Sequence, residues 1–323
     1  MNTNFRSSLA TTIARYVALK QALGRQFESS RYHLGRLDNF LDSNNFLDLD
    51  ANTFAAWCRT LTHLRTGGRR QRMRIVYLFC LFRRRTEPAC FVPDPSQFPP
   101  HQPRPLPYIF TENEIRRLLK ATQNLRPKPH SPLNRQVARL ALVLLYTTGL
   151  RRGELIRLNL GDYDPVERVL LIRDSKFHKS RMLPLSNDAV TELDGYLNDR
   201  WQPGLPHSLD SPLLVNKWGE TSRYSGTGFG CMMRKLFRKA GVLTSSGRPP
   251  RVHDLRFTFA VHALARWYRA KVDVQARLPA LSVYLGHGSV VATQYYLTFF
   301  SEVARAANQL FGKHCSNFLG GDQ

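Results

Sequence analysis

A chain of 323 residues, 42% hydrophobic and 22% charged, is long enough to bury two cores and too apolar to be disordered throughout. Its 47 Lys+Arg against 24 Asp+Glu leave a net charge of +23, which points to a polyanionic partner, and no apolar run approaches the roughly 18–20 residues of a membrane span. The opening MNTNFRSSLATTIARY lacks an apolar secretory core, and five widely spaced cysteines form no C-x-x-C, so a cytoplasmic chain without disulfides or a zinc site is expected.

Helical periodicity dominates the first third. Ile13, Tyr16, Val17, Leu19, Ala22 and Leu23 recur at helical spacing, and a second helix is predicted from about Ser29 to Leu41 with Leu34, Leu37, Phe40 and Leu41 on one face. Asn52 is a candidate cap for a third helix through Leu64, broken by Thr66-Gly67-Gly68. A fourth, from about Arg69 to Arg85, carries a stripe of Ile75, Leu78, Phe79 and Phe82. Between Ala51 and Thr86 there are nine arginines and no acid, among them Arg65, Arg69, Arg70, Arg72 and Arg74. Arginine grips phosphate through a two-pronged fork, so this density fits a DNA backbone better than a solvated face.

Seven prolines between residues 93 and 107 strip backbone donors and disfavour helix, which predicts an extended linker. The expected organisation is a helical domain over 1–95, a linker over 96–108 and a second domain over 109–323. Thr111-x-x-Glu114 has the spacing of a capping box and starts a helix to about Gln123. An apolar helix from Val137 to Tyr146 should end at Gly149. Val169–Ile172 and Met182–Leu185 flank a polar turn and read as a β-hairpin in an otherwise mainly α fold.

Four segments could serve phosphodiester chemistry, which needs cations for the phosphoryl oxygens, a proton donor for the leaving oxygen and a nucleophile. Arg151 follows Thr148-Gly149-Leu150 at a helix start, a favourable place for an anion, although Arg151 or Arg152 could simply pair with Glu154. The hairpin turn Ser175-Lys176-Phe177-His178-Lys179-Ser180-Arg181 could bring a lysine to a phosphate, or be only a solvated basic turn. His253 and Arg256 lie three apart and share a helix face; a lone histidine there is otherwise structural. Leu285-Gly286-His287 precedes Tyr295-Tyr296, whose adjacent phenols compete as nucleophile or packing residue.

Taken in order, T-G-L-R, a hairpin lysine, H-x-x-R, L-G-H and a tyrosine nine residues on, these segments resemble the tyrosine recombinase (phage integrase) family over roughly residues 110–310. The resemblance implies a helical, SAM-like core-binding domain followed by the family's catalytic domain. It implies Arg151, Lys176, His253, Arg256, His287 and Tyr296 as the catalytic set, with Arg151 and Arg256 on the phosphate, Lys176 as proton donor, His253 in proton transfer with Tyr296, His287 on the phosphate and Tyr296 as nucleophile. Arg65, Arg69, Arg70, Arg72, Arg74, Lys179 and Arg181 are the expected DNA contacts. It further implies a double-stranded DNA partner at a specific site, a homotetramer on two sites, an accessory DNA-bending protein or partner recombinase, no membrane, and neither metal nor other cofactor. A tail helix over 302–323, with Val303, Ala306, Leu310 and Phe311 at helical spacing, would dock into a neighbouring protomer. The chain departs from the family at Ser175 and Phe177, where glycines are usual, at Gly153, where a small polar residue is common, and at Phe257, where a histidine is frequent. The alternatives are a type IB topoisomerase or telomere resolvase, which share the catalytic group, and a catalytically silent DNA-binding protein.

Overall fold

The computed structural model describes residues 5–299 except 102, 104, 174–179, 202–203, 217–221 and 288. The chain divides into two compact units, Met1–Pro105 and Leu106–Gln323. The tail helix expected over 302–323 lies outside the described residues.

The first unit is a bundle of α1 (Ala10–Ala22), α2 (Glu28–Ser43), α3 (Ala51–Thr60) and α4 (Thr66–Arg83). Ile13, Tyr16 and Val17 on α1 and Leu34, Leu37 and Leu41 on α2 supply the three- and four-residue stripes that face the core. Asp38, buried on α2, accepts from the Arg6 and Ser7 backbone N–H groups and the Ser7 hydroxyl, and so pins the N-terminal segment. Two local readings change. Asp50, not Asn52, caps α3, its carboxylate accepting from Thr53 N at 2.7 Å. Gly67 and Gly68 do not break a helix but lie in the first turn of α4, and the break is Leu61–Arg65.

The face of α4 is also rotated from the expected stripe. Met73, Val76, Phe79 and Cys80 are buried, Ile75 and Phe82 only partly, and Leu78 is 41% exposed. A helix this rich in apolar residues has two adjacent apolar rows, and the core selects between them. The same rotation buries Arg83, which pairs with Asp48 and Glu87, so one of the nine arginines serves the fold. After α4, Phe91, Val92 and Phe98 pack on this core, and Arg70 donates to the Pro99 carbonyl at 2.6 Å. The start of the expected linker is therefore docked on the first unit.

The second unit begins at α5 (Glu112–Gln123), whose capping box forms as predicted: Glu114 N donates to Thr111 Oγ1 at 3.2 Å and Thr111 N to the Glu114 carboxylate at 2.9 Å. α6 (Asn134–Thr148) is buried on almost every side, as a central helix must be, and packs against α5, α8 (Asn187–Arg200) and α10 (Asp254–Arg269). Short α7 (Arg152–Arg157) follows. The hairpin is β2 (Val169–Ile172) against β3 (Arg181–Pro184), antiparallel with Leu170 opposite Leu183 and Ile172 opposite Arg181. A third strand, β1 (Tyr163–Asp164), pairs with β2 and is too short for any periodicity to show. Then come α9 (Gly226–Lys239), α10, α11 (Val274–Leu285), α12 (Val291–Gln294) and a 3-10 turn over Tyr295–Phe299. Of the cysteines, Cys80 and Cys90 are buried and Cys58 half-buried, as small apolar residues are, whereas Cys231 is exposed on α9.

Candidate active site

Two glycines shape the site. α6 ends at Gly149 and α11 at Gly286, both left-handed, with φ +64° and +67°. At the α11 end His287 N donates to Ser282 O and Gly286 N to Val283 O, each at 2.9 Å, a Schellman ending that turns His287 out of the helix. A side chain would not fit at either glycine. A Cβ on Gly149 would lie 2.5 Å from the Phe259 ring and 2.9 Å from Leu285, and one on Gly286 would lie 2.6 Å from Arg181 Nη1.

The last carbonyls of a helix lack intrahelical donors and carry the negative end of its dipole. At α11 three arginines from three elements supply the donors. Arg181 on β3 donates to Tyr284 O at 2.9 Å, Arg256 on α10 to Leu285 O at 2.7 Å, and Arg151 at the start of α7 to Gly286 O at 2.8 Å. Arg256 also donates to Gly149 O at 2.7 Å, joining the two glycine turns. Glu154, 3% exposed, lies beneath them. Its carboxylate accepts from Arg151 N at 3.0 Å, Arg151 Nη1 at 2.6 Å, and Arg181 Nη1 and Nη2 at 3.2 and 3.0 Å.

Beyond this cluster stands the tyrosine. His287 Nδ1 lies 2.7 Å from Thr293 Oγ1, and its Nε2 lies 3.4 Å from the Tyr296 hydroxyl, the two rings stacked. The Arg256 guanidinium lies near enough to the Tyr296 phenol for the two to interact electrostatically. Tyr296 is only 3% exposed, its ring packed with Leu264, Leu281 and Leu285. Phe257, where the family often has histidine, places its ring edge-on to His253, Tyr295 and Tyr296 at centroid distances of 5.4, 6.0 and 5.0 Å. It thus joins His253 to the tyrosine by apolar contact.

Electrostatics follow from this crowding. Burial opposes the charge on Glu154, but the Arg181 hydrogen bonds and charge, with the Arg151 N–H and charge, overcome it and hold the carboxyl down at about 2. Burial pushes Arg256 down to about 10, so it stays protonated at neutral pH. Half-burial, then the Arg256 and Arg151 charges, push His287 down to about 4. Crowding by the surrounding protein and then the Arg256 charge lower His253 in the same direction, but that residue is exposed, so solvent screens the effect there. Both imidazoles are neutral at pH 7 in the free chain, and a neutral ring can accept a proton.

Of the residues singled out in the sequence, Arg151, His253, Arg256, His287 and Tyr296 come together from α7, α10, the α11 turn and the final 3-10 segment. Lys176 and Lys179 lie outside the described residues. Arg181 does not sit on the open turn. Its side chain is 10% exposed and engaged with protein partners. In the first unit Arg65 and Arg74 are exposed, while Arg69, Arg70 and Arg72 are half-buried. Sequence reasoning missed Glu154 as a member of the site, treating it only as a surface partner for an arginine. The available signal was its place three residues into a helix that an arginine opens, where a carboxylate reaches back to the first N–H. Thr293, fully buried against His287, had no signal beyond its position between His287 and Tyr296.

The family model described as "Phage integrase family" matches residues 109–302. The chain is 29% identical over 303 residues to the integrase/recombinase y4rB of Sinorhizobium fredii, an alignment covering 93% of this chain and 96% of that protein. It is 28% identical over 224 residues to tyrosine recombinase XerA of Pyrococcus horikoshii, covering 69% and 67%. Among solved structures it resembles the Tn1549 transposon integrase in complex with a circular intermediate DNA, with a TM-score of 0.62, 17% identity and coverage of 90% and 94%, a likeness of fold. With the arginines, histidines and tyrosine gathered at one point and the family model spanning more than half its length, the chain belongs to the phage integrase, or tyrosine recombinase, family.

Proposed function

We propose that this chain is a site-specific DNA recombinase that cuts and rejoins DNA by transesterification through a 3′-phosphotyrosyl intermediate. The observation that carries the reading is the gathering of two arginines, an imidazole and a phenol around the end of α11: Arg256 holds Leu285 O, Arg151 holds Gly286 O, and His287 Nε2 lies 3.4 Å from the Tyr296 hydroxyl. Each guanidinium has five N–H donors. The carbonyl and carboxylate contacts of Arg151 and Arg256 leave donors on both for the non-bridging oxygens of a phosphate, whose transition state gains negative charge there.

In this mechanism the Tyr296 oxygen attacks phosphorus and gives up its proton to a neighbouring imidazole. The 3.4 Å approach favours His287 over His253 as acceptor. The bond from phosphorus to the 5′-oxygen breaks, and Lys176 supplies the proton for the departing 5′-hydroxyl. Rejoining is the reverse: a 5′-hydroxyl attacks the phosphotyrosine, its proton leaves, and the phenol is released. One phosphate ester replaces another, so the scheme consumes neither ATP nor metal-bound water. Strand exchange would proceed pairwise through a Holliday junction in a tetramer on two DNA sites, moving or resolving a mobile element. The integrase/recombinase name of y4rB and the DNA complex of the Tn1549 transposon integrase support DNA as substrate.

The test is a nicked suicide duplex built from DNA that the chain itself captures covalently and that is then sequenced. Wild type should leave an SDS-stable protein–DNA adduct and Tyr296→Phe none. Loss with Tyr295→Phe instead would reassign the nucleophile. No adduct with wild type would favour the silent DNA-binding alternative, and relaxation of supercoils by a monomer without site preference the topoisomerase.

A further inference from the structure

We infer that Arg181 is a positioning residue that acts through Arg151 on the scissile phosphate, rather than a DNA contact. The inference rests on the function proposed above and goes beyond its catalytic set. Arg181 opens β3, directly after the hairpin turn, yet its guanidinium points inward and its side chain is 10% exposed. All three of its guanidinium nitrogens hold protein acceptors: Nε donates to Tyr284 O at 2.9 Å, and Nη1 and Nη2 to the two oxygens of Glu154 at 3.2 and 3.0 Å. Glu154 in turn holds the Arg151 backbone N–H and Nη1.

This arrangement fixes Arg151 from two sides. On one side Glu154, itself oriented by Arg181, takes Nη1. On the other, Gly286 O takes Nη2 from the turn whose preceding residues Arg181 and Arg256 also grip. Without Arg181, Glu154 would be a buried carboxylate facing Arg151 alone. The whole Arg151 fork would then turn toward it, away from any phosphate. Tyr284 O would lose its donor and the turn carrying His287 would loosen. A Cβ at Gly286 would stand 2.6 Å from Arg181 Nη1, so the guanidinium packs directly against the turn that carries His287. A lysine keeps the charge but cannot hold two carboxylate oxygens and a carbonyl in one plane.

The experiment compares wild type, Arg181→Lys and Arg181→Met on two suicide duplexes. One has an ordinary scissile phosphate, and the other a methylphosphonate at that position, which lacks the negative charge Arg151 would neutralise. DNA affinity and its salt dependence are measured in parallel, with thermal unfolding as the control for folding. Both variants should bind DNA with an unchanged salt slope and cleave the phosphate slower by on the order of 100-fold, the usual cost of a misplaced catalytic group. Both should recover most of that loss on the methylphosphonate. Equal impairment on the two substrates would reduce Arg181 to a structural residue and overturn the inference. So would a lower salt slope with normal cleavage of bound DNA, which would make it a phosphate contact. Should Arg181→Met fail to fold, Arg181→Lys decides alone. Failure of wild type to form an adduct on the ordinary phosphate would count instead against the proposed function.

Discussion

At the scale of single residues the site is governed by three guanidiniums in a small volume. Burial, then the Arg256 and Arg151 charges, keep His287 unprotonated near neutrality, down at about 4, and burial followed by the Arg256 charge lowers the more exposed His253 in the same direction. An unfolded chain returns both to ordinary histidine values near 6.5. The unfolded state therefore binds more protons between about 6.5 and 4, and stability is fully present above that window and falls as pH drops through it. Urea midpoints should decline from pH 7 to pH 5, and a His253→Gln, His287→Asn double variant should show a shallower decline. An identical decline would mean the imidazoles titrate normally in the folded chain. A bound phosphate would reverse the local field, so DNA binding at pH 6 should be accompanied by proton uptake.

Residues were legible where the chemistry requires a particular side chain at a particular spacing. Arg256 and His287 could be named because H-x-x-R and L-G-H put them at the start of one helix and the end of another. Glu154 was seen but misjudged, because a sequence does not reveal that Arg181, 27 positions away, completes its burial. The inward turn of Arg181 was hidden for the same reason in reverse: basic residues on a hairpin look solvent-facing until the strand's inward side is known.

At the scale of elements, helix ends shape the candidate site. Gly149 and Gly286 terminate α6 and α11 in a conformation that costs residues with a side chain about 1–2 kcal/mol. Gly149→Ala adds a Cβ within 2.5 Å of Phe259 to that cost. The variant should lose at least about 2 kcal/mol of stability, read as a lower urea midpoint, and should move the carbonyl that Arg256 holds. An unchanged midpoint would mean the turn tolerates the side chain by shifting Phe259. The elements most legible in sequence were those with their own local signals: the Thr111–Glu114 box, the apolar run of α6 and the alternation of the hairpin. The rotation of α4 was not, because Ile75 and Val76, or Leu78 and Phe79, satisfy helical periodicity equally well, and only contact with α1 and α2 decides which row is inside.

For the whole molecule the decisive quantity is a charge of +23. A chain that neutralises several phosphates should bind duplex DNA with an affinity that falls steeply with salt. The structure separates arginines that could contribute from those that do not. Arg65 and Arg74 are exposed, whereas Arg83 is buried between Asp48 and Glu87. Replacing Arg65 and Arg74 with alanine should lower the salt slope by about 1 each and leave the melting temperature nearly unchanged. Arg83→Met should leave the slope intact but destabilise by about 2 kcal/mol, less than a fully buried pair because its partners remain half exposed. A slope change at Arg83 alone would contradict this division.

The covering of Tyr296 carries a further consequence for safety. If Tyr296 is the nucleophile proposed above, its phenol would be dangerous on meeting the wrong stretch of DNA. With its ring packed beneath the α10–α11 surface and its oxygen turned toward His287, the resting chain keeps its reactive atom out of casual reach. Under the proposed function, cleavage would then require an encounter that brings this covered oxygen to a phosphate, which would tie cutting to recognition.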